Sequence, residues 1–191
     1  MDFRSFEIEG PLEIIPGKIE DERGYFSEIF RLNSFAERAG NVQFVQENQS
    51  LSVRIGTIRG LHFQTAPFAQ GKLVRCLAGR LLDVAVDLRA DSPTFGHWLS
   101  ALLSPASNNQ LWVPAGFGHG FCTLEPDTII GYRVTSYYSR DHDKGVAWDD
   151  PDIAVAWPGV ADAETLSGKD RSQPPLRDLP RYFSVKDSQC A

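Results

Sequence analysis

RLLDVAVDL, residues 80–88, carries two alternating sets of side chains: Leu82, Val84, Val86 and Leu88 in one, Leu81, Asp83, Ala85 and Asp87 in the other. A period of two marks a β-strand, whose successive side chains point to opposite faces of a sheet. The pattern predicts one face buried against a core, while Leu81 and Ala85 leave the opposite face only partly polar.

The same rhythm recurs in LEIIPG (12–17), GTIRGLHF (56–63), KLVRCL (72–77), HWLSALL (97–103), QLWVP (110–114), HGFCTL (119–124) and TIIGYRVT (128–135). Short apolar runs punctuated by Gly or Pro, with no sustained helical period, indicate an all-β jelly-roll; a sandwich without a cavity gives the same pattern. The clearest helix is NSFAERAG at 33–40, with Asn33 or Ser34 as N-cap, Glu37 near the capping-box position and Gly40 as terminator. From about Ala161 the alternation fades and prolines enter at 174, 175 and 180, which reads as loop or short helix wrapped on the barrel. A single domain over 1–191 is expected, with a barrel core at about 12–157 and a C-terminal wrap at about 158–191.

The chain has 191 residues, 42% of them apolar, enough to bury a full core. A net charge of -6 argues against a nucleic-acid or anionic membrane surface, so an anionic ligand requires a local cluster of Arg and Lys. Three cysteines, Cys76, Cys122 and Cys190, show neither CxxC pairing nor histidines at zinc spacing, which suits a reducing cytoplasm. MDFRSFEIEG, residues 1–10, has no apolar signal-peptide core, and no apolar stretch reaches membrane-spanning length, so a soluble, unexported protein is expected.

Three segments put ionisable groups among strand residues: RGLHFQ (59–64), QGKLVR (70–75) and GFGHGF (116–121). His62, between Leu61 and Phe63, points away from both, and an imidazole is the usual general base near neutrality. Lys72 is either a solvated strand end or a cation aimed at a developing oxyanion, a term worth on the order of 3 kcal/mol for one well-placed donor. His119, between Gly118 and Gly120, marks either a ring presented to a cavity or a plain turn. Tyr132 is a structural strand tyrosine or a proton donor, and Asp170 a surface carboxylate or the partner that sets a histidine tautomer. Tyr137 and Tyr138 face opposite ways on a strand, so only one can stack on a planar ligand. Metal-binding barrels of this kind commonly use HxH, a nearby Glu and a distant His; here Gly60 and Gln64 flank His62 at two residues, while His97 and His142 stand apart. No metal and no cofactor are expected, and no GxGxxG or P-loop occurs.

DERGYFSEIF (21–30), FVQENQS (44–50), RGLHFQ, QGKLVR, DVAVDLR (83–89), SPTFGHW (92–98), QLWVPAGFGHGF (110–121), YRVTSYY (132–138) and LSGKD (166–170) together resemble the dTDP-4-dehydrorhamnose 3,5-epimerases. These are metal-free homodimers of the cupin type, and the resemblance runs from about Gly17 to Asp170. It implies a nucleotide-linked 4-keto-6-deoxyhexose as substrate, epimerised at both carbons beside the ketone. On that resemblance His62 is the base, Asp170 its partner, Lys72 the group facing the enolate oxygen and Tyr132 the donor on the opposite face. Arg23, Glu28, Gln46, Asn48, Arg59, Asp143 and Lys169 match ligand-contacting positions, His119 a further active-site position, and Tyr138 the aromatic that stacks on thymine.

Relatives of the same fold invert a single centre or move the ketone, and a non-catalytic sugar-nucleotide-binding sandwich would keep the pocket without needing base, cation and donor together. Gln49 stands where many members carry His, and Asp143 where Glu is common. SLSVRIG (50–56) holds one residue more than expected, which predicts a bulge or a longer turn before RGLHFQ.

Overall fold

The architecture comes from a computed structural model that describes residues 1–186; Cys190 lies outside the described residues. Alternating segments form β1 (Asp2–Ser5), β2 (Leu12–Ile15), β3 (Ile19–Asp21), β4 (Gly24–Phe26), β5 (Gln46–Ser52), β6 (Ile58–Gln64), β7 (Lys72–Ala78), β8 (Leu81–Asp87), β9 (Trp98–Leu103), β10 (Gln110–Val113), β11 (Phe117–Thr123), β12 (Thr128–Val134) and β13 (Asp143–Gly145). Helix α1 (Leu32–Ala39) precedes β5, and the single turn α2 (Gly168–Arg171) follows β13.

All paired strands are antiparallel, in a six-stranded sheet ordered β1-β2-β10-β7-β12-β5 and a five-stranded sheet ordered β13-β6-β11-β8-β9; β3 and β4 form a separate hairpin. The inner faces meet in one core, where Val74, Ile130, Leu111 and Val113 of the first sheet pack with Leu81, Ala85, Leu103 and Phe121 of the second. This is a jelly-roll barrel, as the strand rhythm predicts.

Each outer face is covered as well. On the six-stranded sheet, Leu12, Ile14, Leu73 and Trp112 receive Phe35 of α1, whose ring meets that of Trp112 edge-on at 5.2 Å. On the five-stranded sheet, Leu61, Phe63, Val84 and Val86 are covered by Val146, Ile153, Leu176 and Phe183 from the C-terminal segment. The buried Asp150 carboxylate ties that segment down, accepting from Ile153 N at 3.0 Å and Leu176 N at 2.7 Å.

Two local expectations need correction. Helix α1 begins one residue before Asn33, with Arg31 at the N-cap and no side-chain cap, because burial of Phe35 sets its position; Gly40 terminates it as expected, at φ 82. The second set of the 80–88 strand is not a half-polar outer face: Leu81, Asp83, Ala85 and Asp87 are all 0% exposed. Because the even-numbered face is buried under the C-terminal wrap, the odd-numbered face is the barrel interior, and two aspartates lie inside the protein.

A bulge lies inside β6, within RGLHFQ itself and not in the preceding SLSVRIG stretch, which ends β5 at Ser52 and turns into β6 at Ile58. His119 pairs with His62 and Phe121 with Arg59, so Gly60 and Leu61 together oppose the single residue Gly120. A two-against-one bulge shifts the side-chain phase by one position. Arg59 and His62, which would face opposite ways on a regular strand, therefore both line the same cavity. Gly60 permits this: its φ is +119, and a Cβ there would lie 2.6 Å from Gly120 Cα and 2.7 Å from the His119 carbonyl oxygen.

Candidate active site

Between the two sheets, at one end of the barrel, opens a cleft of about 380 Å³. Its walls come from β5, β6, β7, β11, β12, β13 and α2, which is why residues far apart in the chain converge there. Eleven of the thirteen residues singled out from sequence line it: Gln46, Asn48, Arg59, His62, Lys72, His119, Tyr132, Tyr138, Asp143, Lys169 and Asp170. Arg23 and Glu28 do not. Both belong to the exposed region around the β3–β4 hairpin, where Arg23 pairs with Asp21 and Glu28 with Arg31.

His62 Nε2 lies 2.5 Å from Asp170 Oδ1. A capping box locks the carboxylate: Ser167 Oγ and Ser167 N donate to Asp170 Oδ2, while Asp170 N donates to Ser167 Oγ. The sequence signal was Ser167-Gly-Lys-Asp170, an S-x-x-D cap whose acidic member also serves the histidine. Burial raises the pKa of Asp170, but the hydrogen bonds from His62 and Ser167 outweigh it and bring the carboxyl down to about 2. Burial, with the nearby Lys169 and Lys72 charges, lowers the pKa of His62 against the pull of Asp170. At neutral pH the pair is thus an ionised carboxylate holding a neutral ring by its Nε2–H, and Nδ1 keeps its lone pair.

Lys72 is buried, not a solvated strand end, and its Nζ donates to the His62 carbonyl oxygen at 3.2 Å. Burial brings its pKa down to about 8 against the opposing charges of Asp143 and Asp83, so it remains mostly an ammonium at pH 7. Burial also raises the pKa of Tyr132 and keeps its phenol protonated. At the mouth, Lys169 Nζ contacts Asp143 Oδ2 at 2.5 Å and the Tyr138 hydroxyl donates to the same oxygen at 3.2 Å. Asp143 therefore reaches the mouth despite being shorter than Glu. Gln49 is exposed on the outer face of β5 and takes no part in the cleft.

His119 Nε2 meets Asp83 Oδ1 at 2.7 Å. Sequence reading missed Asp83 because an aspartate alternating with leucines and valines looks like the wet side of a strand. Among the described residues no group of three His, Cys, Asp or Glu side chains is arranged to hold a metal ion. His142 instead packs on Phe68 and bonds Ser139. Nor is any described helix long and apolar enough to cross a membrane.

The arrangement offers a neutral base with a fixed partner, a buried cation and a protonated phenol around one cleft. That set suits abstraction of a proton next to a carbonyl, with charge developing on the carbonyl oxygen. A family model described as dTDP-4-dehydrorhamnose 3,5-epimerase matches residues 5–178. The chain is 56% identical over 183 residues to a dTDP-4-dehydrorhamnose 3,5-epimerase of Sinorhizobium fredii, covering 96% of this chain and 93% of that one. An epimerase structure from Mycobacterium tuberculosis superposes with TM-score 0.94 at 34% identity, over 100% of this chain and 97% of that one. A Legionella pneumophila epimerase in complex with dTDP-4-keto-L-rhamnose gives 0.89 at 36% identity, over 96% and 98%. With an imidazole, an ammonium and a phenol gathered in a cupin-type barrel, and with likeness over nearly its whole length, the chain belongs to the dTDP-4-dehydrorhamnose 3,5-epimerase family.

Proposed function

We propose that this isomerase converts dTDP-4-dehydro-6-deoxy-D-glucose to dTDP-4-dehydro-L-rhamnose, with His62, Asp170, Lys72 and Tyr132 as its machinery. The hydrogens on C3 and C5 both flank the C4 ketone, so one enolate strategy serves two carbons. His62 takes a carbon-bound proton and becomes an imidazolium held by Asp170. The electron pair moves onto the C4 oxygen, where the Lys72 ammonium offsets the new charge. Tyr132 returns a proton from the opposite face, which inverts the centre, and the imidazolium and phenolate exchange protons with solvent before the next cycle.

The observation that carries this reading is the 2.5 Å His62–Asp170 contact in a cleft shared with Lys72 and Tyr132. Arg59 and Lys169 supply cations for the diphosphate, Tyr138 a ring for the base, and Gln46, Asn48, Asp143 and His119 further polar contacts. The working unit is taken to be one domain acting in the cytoplasm as a homodimer. Ile19, Tyr25 and Phe26 of the hairpin are 72%, 56% and 68% exposed, an apolar surface suited to a second copy. Such a contact would also let Arg23 and Glu28 serve the neighbouring cleft.

Incubation of the substrate with this protein in heavy water, followed by NMR of the product, tests the reading. Deuterium and inversion are expected at both C3 and C5. Inversion at a single carbon, a migrated ketone, or binding without turnover would each overturn it.

A further inference from the structure

Among the described residues, Asp83 is the one buried side chain with a polar atom that lacks a hydrogen-bond partner. It sits in β8 opposite Phe121 of β11, facing the barrel interior, and is 0% exposed. Its Oδ1 is taken by His119 Nε2 at 2.7 Å, while Oδ2 is sealed from solvent with no hydrogen-bond partner among the described residues. Asp170, by contrast, has both oxygens engaged. A buried carboxylate with an unpaired oxygen disfavours the fold, so its presence beside a cleft calls for a reason other than stability.

The two groups that Asp83 influences both face the sugar pocket. His119 lines the cleft, and its Nδ1 has no hydrogen-bond partner among the described residues and is not among the sealed atoms, so it reaches the cavity. Lys72 lies within range of the Asp83 charge, which favours its ammonium. Asp83 itself is not among the residues lining the cleft, so it acts there through these neighbours.

We propose that Asp83 is a positioning residue for epimerisation: it holds His119 as the Nε2–H tautomer, with Nδ1 as an acceptor for a sugar hydroxyl. The inference rests on the epimerase reading of the cleft.

Asp83→Asn keeps the side-chain volume and removes the charge. With dTDP-4-dehydro-6-deoxy-D-glucose as substrate, kcat is expected to fall by on the order of tenfold to a thousandfold, as when a tautomer-setting carboxylate becomes an amide. Tm should hold within a few degrees. Ring-nitrogen NMR of the wild-type protein should show the His119 proton on Nε2. A lowered Tm with unchanged kcat would make Asp83 merely structural and overturn the proposal. So would a His119 ring protonated only at Nδ1, a result that stands even if the variant does not fold. Failure of the wild-type protein to exchange any deuterium would instead overturn the epimerase reading, and the ring-nitrogen spectrum would still decide what Asp83 does.

Discussion

His62 and His119 are direct cross-strand partners in the β6–β11 pair, yet each is hydrogen-bonded to a different carboxylate: His62 to Asp170 from the C-terminal wrap, His119 to Asp83 from the neighbouring strand β8. Directly opposed residues on one face of an antiparallel pair bring their Cβ atoms to about 5 Å. Two imidazoles at that spacing would repel if both were charged. Separate anchors orient each ring independently.

Replacing the base should abolish abstraction. His62→Asn is expected to lower kcat by about 10²- to 10⁴-fold, the usual contribution of a positioned general base, with little change in KM. Deuterium wash-in at C3 and C5 measures it; an unaltered exchange rate would show that another group removes the protons.

Tyr132→Phe separates abstraction from inversion. With His62 and Lys72 intact, the enolate still forms, but the opposite-face donor is gone. Deuterium is expected to enter with retained configuration, visible by NMR as exchange that outruns product formation. Inversion at the wild-type rate would assign the donor elsewhere.

The pH profile has a signed expectation. Because burial lowers the pKa of His62 below its ordinary 6.5, the acidic limb of kcat/KM should have its midpoint below pH 6.5. Lys72, brought down to about 8, should produce an alkaline limb near that pH, and Lys72→Met should cost about 10²- to 10³-fold in kcat. An acidic midpoint above 6.5 would contradict a neutral resting base.

Stability should depend on pH through Asp170. Its folded pKa of about 2 lies below the reference 3.8, so the stabilisation it brings is present above about pH 4 and is lost as pH falls through about 2. Urea unfolding of the wild type and of Asp170→Asn should therefore converge as pH falls from about 4 to about 2. Parallel curves over that window would show that the carboxylate is not held as described.

Gly60→Ala tests the bulge. A methyl group there meets backbone atoms of Gly120 and His119 at 2.6 Å and 2.7 Å, at a φ of +119 that disfavours any side chain. Neither backbone has room to yield, so a loss of roughly 3 kcal/mol is expected, read as a lower urea midpoint. Activity should fall with it, since the bulge places Arg59 and His62 on one side. A variant of wild-type stability and rate would mean that the strands can re-register.

Alternation and punctuation alone specified an all-β fold, though not a barrel over a sandwich, because a half-buried pleated strand imposes a period of two on whatever residues form it. The local sequence also marked His62, Lys72, His119 and Tyr132, since an ionisable group set in an apolar run needs a compensating partner. It left open whether Lys72 was solvated and whether Asp170 lay on the surface, and it passed over Asp83 altogether. Those questions turned on which sheet covers each strand face, a matter of strand order and not of the residues within one strand. The wrap from Val146 to Phe183 buries the even face of β8, which makes its odd face interior and places a carboxylate under His119. Likewise the shift of register at Gly60 exists only where β6 meets β11, and it alone brings Arg59 to the side of the barrel that His62 faces.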